Sequence, residues 1–124
     1  MRKMLINWKA ITVGFFVSLV TGTLIAFIIP IIGGFITTFI AAIIVGYISR
    51  GSLTNGALNG AIMGFLSRFI ESIIIIYTSY ALINNISPII TSISIILIII
   101  LFIIHIITAA AGGAVGSLIS RNSY

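Results

Sequence analysis

The chain has 124 residues, 60% of them hydrophobic and 6% charged, with a mean hydropathy of +1.39. A soluble domain carries about 25% charged residues, so a fully water-facing surface is excluded and a membrane protein is expected. The absence of cysteine excludes disulfides, thiolate catalysis and cysteine metal sites, and the net charge of +5 is scattered over the flanks of apolar segments, which reads as a topology signal and not as nucleic-acid binding.

The head MRKMLINWK carries Arg2, Lys3, Lys9 and Trp8. The apolar stretch 10–29 that follows is longer than a signal-peptide core and no A-x-A-like site comes after it, so it is read as a retained first span. Pro30 ends it, and 31–49 forms a second span after almost no connection. RGSLTNG at 50–56 reads as a loop, 57–83 as a third span, NNISP at 84–88 as a second break, and 89–119 as a fourth span. The last segment is 31 residues long. As one helix it would measure about 46 Å, against a hydrocarbon core of about 30 Å, so it must tilt, emerge from the bilayer or break near Ala109–Gly113. The isoleucine runs would pass for strands in water. Their length and lack of alternation favour helices, because lipid demands that backbone groups be satisfied within a segment or a closed barrel. The expected fold is all-α: an integral membrane bundle of four transmembrane helices in one domain over 1–124.

Positive residues collect on one side of a four-span path: Arg2, Lys3 and Lys9 before span one, Arg50 after span two, Arg121 after span four. The positive-inside rule then puts both termini in the cytoplasm of a cell-membrane protein, with Trp8 and Tyr47 at the inner interface and Tyr80 at the outer. Asn85 opens a glycosylation sequon, but its place beside Pro88 and the membrane favours a plain helix-ending loop.

Small residues recur at four-residue spacing in every segment. Gly14 and Gly22 mark span one, Gly34 and Gly46 span two, Gly56, Gly60 and Gly64 span three, and Gly112 and Gly116 span four. Such stripes let helix backbones approach closely where the bilayer supplies no hydrophobic drive. They serve packing within the chain or, alternatively, an interface between copies in a homo-oligomer. A faint repeat relates Val45-Gly46-Tyr47-Ile48-Ser49-Arg50 to Val115-Gly116-Ser117-Leu118-Ile119-Ser120-Arg121, as two hairpins in parallel orientation would.

INWKAITVGFF and the stretch IPIIGGFITTFIAAIIVGYISRGSLTNGALNGAIMGFL resemble a family of small membrane proteins found mainly in archaea, classed as a domain of unknown function, number 5518. The likeness covers about residues 5–66 well and the Gly-Gly-Ala-Val-Gly region loosely. It implies topology and an archaeal source and transfers no catalytic residue. Members often carry histidine where this chain has Asn59, so that position is assigned no role.

Arg68 and Glu71 stand inside the third span, and Glu71 is the only acidic residue in the chain. Were they interfacial, the span left to them would be too short to cross. They therefore lie at bilayer depth, three apart on one helix face, and His105 reaches a comparable depth on the fourth span. Charges there cost about 2.5–3.5 kcal/mol each. The trio is the candidate polar cluster, read first as a buried pair locking helices three and four, and alternatively as a proton or ion path. With one glutamate, one histidine and no phosphate loop, no enzyme activity, cofactor or metal site is expected. The expected function is a non-enzymatic structural or assembly component of the lipid bilayer, the alternative a small ion, proton or solute transporter or channel using Arg68, Glu71 and His105.

Overall fold

A computed structural model describes residues 6–29, 32–49, 52–82 and 88–122. Arg2, Lys3, the Pro30 turn, Arg50, the Asn85 sequon and the side chain of Tyr80 lie outside the described residues. Four helices follow in order: α1 (Trp8–Ala26), α2 (Ile32–Ser49), α3 (Leu53–Leu82) and α4 (Pro88–Asn122). No strand occurs among the described residues. All four helices are long and apolar enough to cross a membrane, and the chain is a multi-pass helical bundle.

Local chemistry sets the helix ends. Asn7 caps α1, its side chain accepting from Ala10 N at 3.1 Å. α1 stops at Ala26, three residues before the expected end at 29. A proline at 30 offers no N–H to the Ala26 carbonyl and disfavours helical backbone at 29. Residues 27–29 tighten instead into a turn, with Ile28 N and Ile29 N both donating to Ile25 O. α3 begins at Leu53, not at 57, because Ser52 caps it: Ser52 Oγ accepts from Asn55 N at 3.2 Å. Pro88 takes the first position of α4, where its missing N–H costs nothing.

α4 is one unbroken helix of 35 residues, so of the outcomes open to the last segment a break near Ala109–Gly113 does not occur. Glycine in mid-helix is a weak point only when nothing holds it. Here Gly112 lies against the Phe39 carbonyl and Ala42 of α2, and Gly113 against the backbone of Gly56 and Gly60 of α3.

α1 packs on α2 and α3, and α4 packs on α2 and α3, while α1 and α4 do not meet among the described residues. α2 and α3 are thus the inner pair. α2 buries Gly33, Thr37, Thr38, Ala41, Ala42, Val45 and Gly46, a helical stripe made of small side chains. A compact core of Ala10, Ile11, Ala41, Ala42, Val45, Met63 and Ala109 joins all four helices.

The helices alternate in direction. Gly14 lies against Val45 and Gly33 against Ile25, so α1 and α2 are antiparallel; Gly56 lies against Gly113 and Gly64 against His105, so α3 and α4 are too. α2 and α4 run parallel, with reciprocal contacts: Gly46 faces Gly113, and Gly116 faces Ile43 and Tyr47.

The two hairpins are unequal. α1 and α2 have 19 and 18 residues, α3 and α4 have 30 and 35. His105 lies opposite Gly34, near the start of α2, yet α4 begins 17 residues earlier at Pro88. Measured from these contacts, the α3–α4 hairpin runs roughly 10–20 Å past the α1–α2 hairpin. Its described side chains there, Ile76, Tyr77, Ile93 and Ile96 among them, are exposed.

Candidate functional site: two polar layers across the bundle

The bundle carries two buried polar layers at different depths. The first lies where α1 and α3 begin. Asn7 N donates to Asn59 Oδ1 at 2.7 Å, and Asn59 Nδ2 donates to Asn55 O at 2.8 Å. Ser117 Oγ of α4 donates to Ser52 O at 2.9 Å. Asn59 and Ser117 are fully buried. A primary amide offers both donor and acceptor, and Asn59 uses them to tie the entry of α1 to α3. Sequence reasoning gave this position no role. The signal that could have found it was an amide one turn after Asn55 on a glycine-rich face.

The second layer lies deeper and holds the three candidate residues. Arg68 Nη1 donates to Glu71 Oε2 at 3.2 Å, one turn apart on α3. The pair is partly buried, with side-chain exposures of 16% and 28%. Glu71 Oε1 points toward α1, where a Cβ on Gly22 would stand 3.8 Å from it and 3.5 Å from Thr37 Oγ1 of α2. Within this layer the glutamate therefore faces α1 and α2. The ion pair is internal to α3, as its spacing predicts, and its carboxylate meets the short hairpin. The reason is register. α1 runs parallel to α3 with Gly22 level with Glu71.

His105 stands apart from the pair. It is buried, at 4% exposure, and its ring stacks on Phe35 of α2 at 4.1 Å between centroids and 27° between planes. Nδ1 lies 2.9 Å from Leu101 O. A carbonyl oxygen only accepts, so Nδ1 carries the proton and Nε2 of the neutral ring presents a lone pair. That Nε2 points at α2, where a Cβ on Gly34 would be 3.6 Å away. No hydrogen bond joins His105 to Arg68 or Glu71 among the described residues.

The glycines singled out from sequence divide into two kinds. A Cβ on Gly46, Gly56 or Gly60 would overlap carbonyl oxygens of α4; on Gly116 it would overlap the Ile43 carbonyl; on Gly14 and Gly64 it would overlap the Val45 and Ala109 side chains; and on Gly112 it would come within 2.7 Å of the Phe39 carbonyl. Gly22 and Gly34 are different, since a Cβ on either would make only ordinary contacts, and those with polar atoms of the deeper layer.

Three polar atoms in this layer are buried without a hydrogen-bond partner among the described residues: Arg68 Nε, Ser72 Oγ and His105 Nε2. No group of three or more His, Cys, Asp or Glu side chains that could hold a metal occurs among the described residues.

Compared with known proteins, residues 8–119 match the model of a family described as a family of unknown function, DUF5518. No curated protein and no solved structure matches the chain.

Proposed function

The chain belongs to the DUF5518 family of unknown function, and from that premise we propose that it is a non-enzymatic structural or assembly component of the cell membrane. The observation that carries this reading is the unequal bundle. α4 is seated on α2 and α3 backbone to backbone through Gly46, Gly56, Gly60, Gly113 and Gly116, which makes a stiff base. From that base the longer hairpin extends with apolar side chains outward. Such a surface suits lipid, a second copy of the chain, or another membrane protein. The sequence adds support: a single acidic residue, already bound to Arg68, leaves little for catalysis. The positive residues favour cytoplasmic termini.

The test uses the natural absence of cysteine. A single Ile96→Cys variant, crosslinked in native membranes, is expected to give a defined dimer or a discrete adduct. Monomer alone, at every crosslinker length, would overturn the assembly reading.

A second reading, a small ion, proton or solute transporter or channel, is favoured by one observation: the deeper layer gathers polar side chains of α2, α3 and α4 and is incompletely hydrogen-bonded. Liposomes carrying the protein would then leak protons or cations above empty controls, and Glu71→Gln would change that flux. No flux above the controls removes this reading.

A further inference from the structure

The two polar layers obey different rules. Near the helix starts, Asn7, Asn59, Asn55, Ser52 and Ser117 satisfy one another. In the deeper layer a donor, an acceptor and a hydroxyl are left over. Hydroxyls elsewhere in this chain solve the problem locally: Thr12, Thr21, Thr37, Ser49 and Thr108 donate to the carbonyl four residues back. Ser72 does not. It sits one turn beyond Arg68 on the same face of α3, so its free oxygen and the free Arg68 Nε belong to one patch.

Leaving a buried polar atom unpaired forfeits its bonds to water with nothing in return, and three together in hydrocarbon are a heavy burden. A bound polar molecule relieves it. The charges decide which. Arg68 and Glu71 cancel. His105, with Nδ1–H held by Leu101 O, offers a lone pair at Nε2, which repels an anion, and the guanidinium repels a cation. The ligand must be neutral, small, and both donor and acceptor. Gly34 and Gly22 leave room beside these polar groups although a methyl would fit at either position.

We propose that Arg68, Ser72 and His105, with Gly34 keeping the space open, hold internal water between α2, α3 and α4, level with the start of α2. The water accepts from Arg68 Nε–H, exchanges hydrogen bonds with the Ser72 hydroxyl and donates to His105 Nε2. Buried waters typically make about three such bonds to otherwise unpaired groups, which matches this set of partners. The inference goes beyond both readings of function, since water can be held without being passed.

His105 is the only histidine and Trp8 the only tryptophan in the chain, so ¹⁵N labelling of both gives one indole signal and the two ring-nitrogen signals of a single imidazole. The full chain in phospholipid bilayers is examined by solid-state NMR with magnetisation transferred from water protons. Trp8, exposed at the start of α1, is the hydrated reference. The expected result is water transfer to the His105 ring on the timescale seen for Trp8, with Nε2 shifted as a hydrogen-bond acceptor. Gly34→Ala sets a methyl in the space and is expected to abolish most of that transfer; Ser72→Ala, which adds no bulk, is expected to reduce it. A dry His105 ring in the unaltered protein overturns the proposal, as does transfer that both variants leave unchanged. Absent ion flux in liposomes would remove the transport reading and leave this one standing.

Discussion

Breaking the Arg68–Glu71 pair strands a charge at bilayer depth, which costs more than losing both charges together. Removing one member of a fully buried pair costs about 3–5 kcal/mol; partial exposure of both side chains puts the loss here at the lower end or below it. Arg68→Met is therefore expected to be destabilised, and Arg68→Met/Glu71→Met to recover most of the loss, in unfolding titrations of the reconstituted protein; a double variant weaker than the single would contradict the pairing. Asn59→Leu is expected to cost about 1–3 kcal/mol, because the Asn7 N–H and the Asn55 carbonyl then lose a buried partner. Residue chemistry was only partly legible in the sequence. The i, i+3 spacing of Arg68 and Glu71 announced their contact, since one helix fixes it. The direction in which Glu71 faces depends on the register of α1 against α3, and no local pattern encodes that. Asn59 was passed over because its partner, the backbone of Asn7, is 52 residues away.

Helix ends and helix contacts respond to different substitutions. Gly46 has no space for a Cβ beside the Gly113 carbonyl, so Gly46→Ala is expected to push α2 and α4 apart and cost about 1–3 kcal/mol, as overpacking does. Gly22→Ala meets only ordinary contacts and is expected to gain roughly 0.5–1 kcal/mol from the lower backbone entropy of alanine. Thermal unfolding of the two variants side by side checks the contrast; equal effects would show that the two glycines do not differ as described. The four apolar runs were legible from length and hydropathy alone, because a bilayer imposes a minimum span. Their boundaries were less so. RGSLTNG has the composition of a loop, and that composition hides the Ser52 cap within it. The continuity of α4 through Gly112 and Gly113 could not be read locally, since the support comes from α2 and α3.

At the scale of the whole molecule, alternating helix directions bring the start of α1, the end of α2, the start of α3 and the end of α4 to one end of the bundle. Trp8, Lys9, Tyr47 and Arg121 stand at that end. Single cysteines at Ile6 and at Asn122 are therefore expected to react from the same side of a sealed vesicle with an impermeant thiol reagent, and a cysteine at Tyr77 from the other or not at all. Labelling of Ile6 and Asn122 from opposite sides would break the four-crossing topology. The same inequality of hairpins sets two apolar lengths in one protein. α1 and α2, at 19 and 18 residues, match a hydrocarbon core of about 30 Å, whereas α3 and α4 carry exposed apolar side chains roughly 10–20 Å further. A thicker bilayer covers more of that overhang. In vesicles made from lipids of graded chain length, the protein should concentrate in the thicker ones, and an even spread across them would contradict an apolar overhang.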